Sequence, residues 1–219
     1  MNRTLATSRD RVLPSPLLLG SRIVAVLRAA DASAYARVID VLIESGISSI
    51  ELTLTTPGTL EALPGLLRRA GTGAEIGVGT VTSVAEAEQA LNAGAGYLVT
   101  PVTNPEIITT AVAAGRPIYP GALTPTEVHS AWSAGATAVK IFPAQTVGAH
   151  YGGHLLGPFP DLRFLPSGGV RLEDIGPWLR NGAMAVSLGG PLIGDALQGG
   201  SLDALAARAH AATTAVNAA

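Results

Sequence analysis

One phrase recurs along the chain and constrains its fold more than any other feature. It is a helix-like segment, a glycine, then a short apolar run ending in small or polar residues. It occurs as Glu44-Ser45-Gly46 before Ser49-Ile50-Glu51-Leu52-Thr53, and as Arg69-Ala70-Gly71 before Glu75-Ile76-Gly77-Val78-Gly79-Thr80. Asn92-Ala93-Gly94 precedes Tyr97-Leu98-Val99-Thr100-Pro101, and Ala113-Ala114-Gly115 precedes Pro117-Ile118-Tyr119-Pro120-Gly121. Ser133-Ala134-Gly135 leads into Ala138-Val139-Lys140-Ile141-Phe142-Pro143, and Arg180-Asn181-Gly182 into Met184-Ala185-Val186-Ser187. The glycines stand at 46, 71, 94, 115, 135 and 182, so the gaps are 25, 23, 21, 20 and 47. The last gap is close to two units, and Arg163-Phe164-Leu165-Pro166 supplies the strand inside it. A glycine just past a helix enters the left-handed region without a Cβ penalty. An apolar run of four or five residues after it reads as a strand buried on both faces. With Ile23-Val24-Ala25-Val26-Leu27 at the start, eight strands are expected, near residues 24, 50, 76, 98, 118, 139, 164 and 186.

Helices fit between them. Asp31 is a good cap for a helix over Ala32 to Ile43, whose apolar residues recur at helical spacing. Ser83-Val84-Ala85-Glu86 is a capping box opening Val84 to Asn92, and Thr124-Pro125-Thr126-Glu127 joins a cap, a first-turn proline and an acid. Leu202 to Val216 supplies a closing helix. Strict alternation of strand and helix implies parallel strands with right-handed crossovers. An open doubly wound sheet satisfies that rule, but eight nearly equal units without a dinucleotide fingerprint favour an α/β fold of the closed (β/α)8 (TIM) barrel type. A length of 219 residues suits one such domain over residues 1–219, with residues 1–13 expected as a flexible N-terminal extension.

Composition removes several function classes. A net charge of −2 with scattered arginines offers no basic field for nucleic acid. Pro14, Pro16 and Arg22 interrupt the apolar patch Leu17-Leu18-Leu19, so neither a secretory signal nor a spanning helix is expected, and the chain is read as soluble and cytoplasmic. With no cysteine there is no disulfide, thiol nucleophile or zinc–thiolate site. Of 14 cationic residues 13 are arginine, in a chain with 37 alanines. Arginine cannot do amine chemistry, because its guanidinium stays protonated. Any lysine chemistry therefore falls on Lys140.

In a (β/α)8 barrel the active site lies at the C-terminal ends of the strands. Those ends carry Arg28, Glu51 and Thr53, Gly79-Thr80, Thr100-Pro101, Pro120-Gly121, Lys140 and Phe142, Ser167-Gly168-Gly169, and Gly189-Gly190. Lys140 sits in an apolar strand. One reading is a buried lysine neutralised by an acid. The other is a desolvated amine that attacks a carbonyl. Glu51, also in an apolar strand, is the natural partner as counter-ion or as proton shuttle. Glycine-rich turns after strands seven and eight suggest an anion bound by backbone N–H groups, with Arg28 able to supply charge or simply to lie at the surface. His150 and His154 have metal-ligand spacing, but His-Tyr-Gly-Gly-His contains no acid, and no metal site is expected.

Taken together, Ile50-Glu51-Leu52-Thr53-Leu54, Gly77-Val78-Gly79-Thr80-Val81, Val99-Thr100-Pro101, Tyr119-Pro120-Gly121, Val139-Lys140-Ile141-Phe142-Pro143-Ala144 and Pro166-Ser167-Gly168-Gly169-Val170 occur in order. They resemble the 2-dehydro-3-deoxy-6-phosphogluconate (KDPG) aldolase family, with its phosphogalactonate and 4-hydroxy-2-oxoglutarate cleaving relatives, over roughly residues 20 to 195. The resemblance implies a class I aldolase on a (β/α)8 barrel, usually a homotrimer, with no metal and no cofactor beyond a covalent Schiff base. Lys140 then matches the Schiff-base lysine and Glu51 the acid/base. Thr80 matches the threonine holding the pyruvate carboxylate, and Pro101 and Phe142 match the packing around the pyruvyl group. Gly168 and Gly169, after Ser167, match the phosphate loop, and Arg28 a phosphate-proximal arginine of some relatives.

The chain departs from that pattern twice. Thr55 stands where phosphogluconate-type members carry an arginine, and Thr55-Thr56-Pro57 looks more like the phosphogalactonate type. Pro191 replaces the serine after strand eight, leaving Gly189, Gly190 and Arg28 as phosphate contacts. The expected reaction is reversible cleavage of a 2-keto-3-deoxy-6-phospho sugar acid to pyruvate and glyceraldehyde 3-phosphate. The partners expected are small keto acids, with neither nucleic acid nor membrane. Two rivals remain: a 4-hydroxy-2-oxoglutarate aldolase releasing glyoxylate, and a non-catalytic barrel that binds a phosphorylated metabolite.

Overall fold

The computed structural model describes residues 11–219. Most of the expected N-terminal extension, residues 1–10, lies outside the described residues. Arg11 stacks over the Trp132 ring at 3.6 Å and donates to the Ala136 carbonyl at 3.0 Å.

The strands are β1 (Ile23–Leu27), β2 (Ser49–Thr53), β3 (Glu75–Gly79), β4 (Leu98–Val99), β5 (Ile118–Tyr119), β6 (Gly121–Ala122), β7 (Val139–Ile141), β8 (Phe164–Pro166) and β9 (Val186–Leu188). All eight expected strand positions are occupied. Among the described residues nine strands arise because Pro120 divides the fifth: it has no N–H to place in a ladder, although its carbonyl accepts from the Lys140 N–H at 2.8 Å. Every pairing is parallel. A curled sheet runs β5-β4-β3-β2-β1-β9, and a smaller one runs β6-β7-β8. Between β8 and β9 the Met184 N–H donates to the Phe164 carbonyl at 3.0 Å.

The helices are α1 (Pro16–Ser21), α2 (Tyr35–Glu44), α3 (Thr59–Ala70), α4 (Val84–Asn92), α5 (Pro105–Ala113), α6 (Pro125–Ser133), α7 (His150–Leu156), α8 (Ile175–Arg180), α9 (Gly190–Ile193) and α10 (Leu202–Asn217). The six repeat glycines all take positive φ, between 56° and 105°, as their cap position demands. Capping boxes form at Ser83/Glu86 and Thr124/Glu127. Asp31 caps a short 3-10 turn, Ala32–Ala34, ahead of α2 rather than α2 itself. No described helix is long and apolar enough to cross a membrane.

Two apolar cores follow from the period-2 alternation of the strands. Val139, Ile141, Ile50 and Leu52 point to the helices and join the larger core. A second core gathers Leu18, Val24, Tyr97, Val99, Tyr119, Ala138, Leu165 and Ala185, so both sheets turn one face to the same cluster. Lys140 and Glu51 belong to this second face, displaced from the apolar cluster toward the C-terminal strand ends.

Candidate active site

Eleven of the thirteen residues singled out from the sequence line one cavity of about 220 Å³: Arg28, Glu51, Thr80, Pro101, Lys140, Phe142, Ser167, Gly168, Gly169, Gly189 and Gly190. Val26 and Pro191 complete its wall. Thr53 and Thr55 are not in that wall. Thr53 is buried, and its hydroxyl donates to the Leu27 carbonyl at 3.2 Å, tying β2 to β1. Thr55 sits at the rim and accepts from Arg28 Nη1. A larger concavity near 680 Å³, between Ser33–Val38 and Ala196–Asp203, touches none of these strand ends.

Lys140 and Glu51 are only 7% and 2% exposed, so neither is a surface charge. The Lys140 Nζ stands 4.9 Å from the Phe142 ring centroid, one strand repeat away on the same face. Burial pushes the Glu51 carboxyl above its usual range, and the positive charges of Lys140 and then Arg28 pull it back in part. Gly79, on the neighbouring strand, makes room for that carboxylate: a Cβ there would overlap it. This need was invisible in the sequence, where Gly79 reads only as a strand end.

Thr80 takes φ of 61°, a conformation that costs a β-branched residue about 1–3 kcal/mol. Its hydroxyl accepts from Arg28 Nη2 at 3.3 Å. The guanidinium of Arg28 thus reaches from β1 across to Thr55 and Thr80, while its own wall adjoins Gly189 and Gly190.

At the opposite rim, Gly168 and Gly169 take φ of 84° and 75°. The carbonyls of Ser167 and Gly168 accept from the N–H groups of Ala144 and Gln145 at 2.7 and 3.1 Å. Trans peptide geometry turns the following N–H groups, those of Gly168 and Gly169, to the other side. Ser167 Oγ donates to Ser187 Oγ at 3.2 Å, so Ser187, which the sequence reading passed over, anchors this turn from β9. Pro191 falls in the first turn of α9, where a missing N–H costs nothing. Among the described residues no group of three or more His, Asp or Glu is placed to hold a metal ion. His150 and His154 lie exposed on α7.

Comparison with known proteins adds a family to this geometry. The model for KDPG and KHG aldolases matches residues 17–207. A 2-dehydro-3-deoxy-6-phosphogalactonate aldolase of Escherichia coli K12 is 31% identical over 78% of this chain and 83% of its own length. A 2-dehydro-3-deoxy-phosphogluconate aldolase of Treponema pallidum is 34% identical over 80% and 78%. A native KDPGal structure superposes with a TM-score of 0.84 at 29% identity, covering 90% of this chain and 94% of that one. The chain belongs to the KDPG and KHG aldolase family.

Proposed function

We propose that the chain is a class I aldolase that reversibly cleaves a 2-keto-3-deoxy-6-phospho sugar acid to pyruvate and glyceraldehyde 3-phosphate. One observation carries this reading: the chain's only lysine shares a small cavity with a fully buried glutamate. Lys140 attacks the C2 carbonyl, and loss of water from the carbinolamine gives the protonated imine. Glu51 takes the proton of the C4 hydroxyl as the C3–C4 bond breaks. The bonding pair flows into the imine, leaving an enamine and releasing the aldehyde. Protonation at C3 and hydrolysis by water then free pyruvate and restore Lys140.

Thr80 holds the pyruvate carboxylate, and Pro101 and Phe142 pack against the pyruvyl carbons. The N–H groups of Gly168 and Gly169 face the phosphate, together with Gly189 and Gly190. Arg28, between Thr80 and those glycines, balances the substrate's negative charge. Thr53 and Thr55 act through the framework, Thr55 by steadying Arg28. The two sheets close as a single-domain (β/α)8 barrel, supported by the core that both sheets share. The assembly is a homotrimer working in the cytoplasm.

With Thr55 engaged by Arg28, no arginine stands at the position that phosphogluconate-type members use, which favours the phosphogalactonate epimer. Pyruvate release coupled to lactate dehydrogenase tests this. The expected order of kcat/KM is phosphogalactonate-derived substrate, then the phosphogluconate-derived epimer, then 4-hydroxy-2-oxoglutarate. If the last comes first, the glyoxylate-forming reading replaces this one.

A further inference from the structure

The turn that follows β9 is short and draws part of its hydrogen bonding from another helix. α9 is only four residues long, too short to sustain itself, because a first helical turn is unfavourable on its own. Its N–H groups are served: Leu192 and Ile193 both donate to the Gly189 carbonyl at 2.9 Å, and Gly194 donates to the Gly190 carbonyl at 2.8 Å. The carbonyls at its far end are served from elsewhere. Arg208, half-buried on α10, donates from Nε to the Leu192 carbonyl at 2.7 Å and from Nη2 to the Ile193 carbonyl at 2.8 Å. Two parallel charge-assisted bonds from a planar fork fix orientation as well as distance, which a lysine at that place does not do.

The clamp is fitted to its partner. Gly194, with φ of 56°, is the residue over which the guanidinium lies, and a Cβ there would stand 2.6 Å from Arg208 Nη2. What the clamp holds is the far end of α9, which is tied by its own hydrogen bonds to the carbonyls of Gly189 and Gly190. These two glycines belong both to the Lys140 cavity and to an adjoining one of about 280 Å³ that runs on toward Gly194 and Gln198. Arg208 itself lines neither cavity.

We infer that Arg208 is a positioning residue for the phosphate end of the substrate, setting Gly189 and Gly190 through its grip on α9. The inference rests on the phosphate reading proposed above. It separates the two ends of the site: the lysine, the glutamate and Thr80 lie on other strands and do not depend on α9.

The test compares wild type, R208K and R208A on three readouts: cleavage of the phosphorylated substrate, cleavage of 4-hydroxy-2-oxoglutarate, and exchange of pyruvate methyl protons into deuterated water. R208A is expected to raise KM for the phosphorylated substrate by about tenfold to a hundredfold, with R208K intermediate. Exchange and cleavage of the unphosphorylated substrate stay within about twofold. Thermal melting of the same preparations accompanies the kinetics, and R208K, which keeps the charge, carries the test if R208A does not fold. Equal losses on all three readouts, or an unchanged KM, overturn the inference. A wild type that shows no preference for the phosphorylated substrate and no inhibition by inorganic phosphate overturns the phosphate reading itself, and this inference with it. A preference for the phosphorylated substrate that is present in wild type and undiminished in both variants overturns the role of Arg208 alone.

Discussion

Glu51 and Gly79 share one volume: the Glu51 carboxylate lies where a Cβ at position 79 would stand. The pairing register does not place them side by side, for Glu51 is opposite Gly77 and Gly79 is opposite Thr53. The carboxylate instead leans along the strand direction toward the open end of the site. Glycine at 79 is thus a requirement of the position that the Glu51 side chain takes.

Gly79→Ala is expected to displace the carboxylate and lower kcat by up to the full worth of a general acid–base, about 10²- to 10⁴-fold. The shorter E51D side chain returns part of the room. In a double-mutant cycle, E51D therefore costs less in the G79A background than in wild type. Independent, additive losses contradict the shared volume.

Burial of Glu51 also has a stability signature. The folded carboxyl keeps its proton to a higher pH than the unfolded one, so the folded state binds more protons across that interval. Its contribution to stability is complete below the ordinary glutamate value of about 4.3 and declines as pH rises through the raised one. E51Q does not ionise and escapes that decline. It is expected to melt above wild type at pH 8 and to converge with it near pH 4, by roughly 2–4 °C for each kcal/mol relieved, while its kcat falls. An E51Q variant that melts lower at pH 8 would mean the charged pair with Lys140 outweighs the burial.

Legibility in the sequence divided along physical lines. Strand positions, the two capping boxes and the face of Lys140 were legible, because each follows from the local period and from glycine or capping chemistry within a few residues. Pro120 splitting the fifth strand depends on ladder bonding to the strands on either side. Pro64 sits inside α3, against the usual reading of proline as a breaker, and tertiary burial of Leu63 and Leu66 overrides it. Thr53 looked like a cavity residue by its place at a strand end, yet its hydroxyl is drawn to the Leu27 carbonyl. The fit of Gly79 to Glu51 and of Gly194 to Arg208 exists only in three dimensions.

Below the reacting groups, two tyrosines meet edge to face at 5.4 Å with different hydrogen bonding. The Tyr97 hydroxyl lies 3.2 Å from Ser49 Oγ, which donates to Glu75 at 2.8 Å. The Tyr119 hydroxyl is buried without a partner among the described residues. Y97F is expected to destabilise by about 0.5–1.5 kcal/mol, whereas Y119F is neutral or stabilising. Denaturant melts of both variants decide it. A Y119F loss as large as that of Y97F contradicts the assignment.

The claim on which the rest depends is covalent chemistry at Lys140. Incubation with pyruvate and borohydride, followed by peptide mass spectrometry, measures it directly. The expected result is one reduced pyruvyl adduct per chain, on the peptide containing Lys140, and none in K140R. Cleavage activity with no adduct on Lys140 would contradict the account.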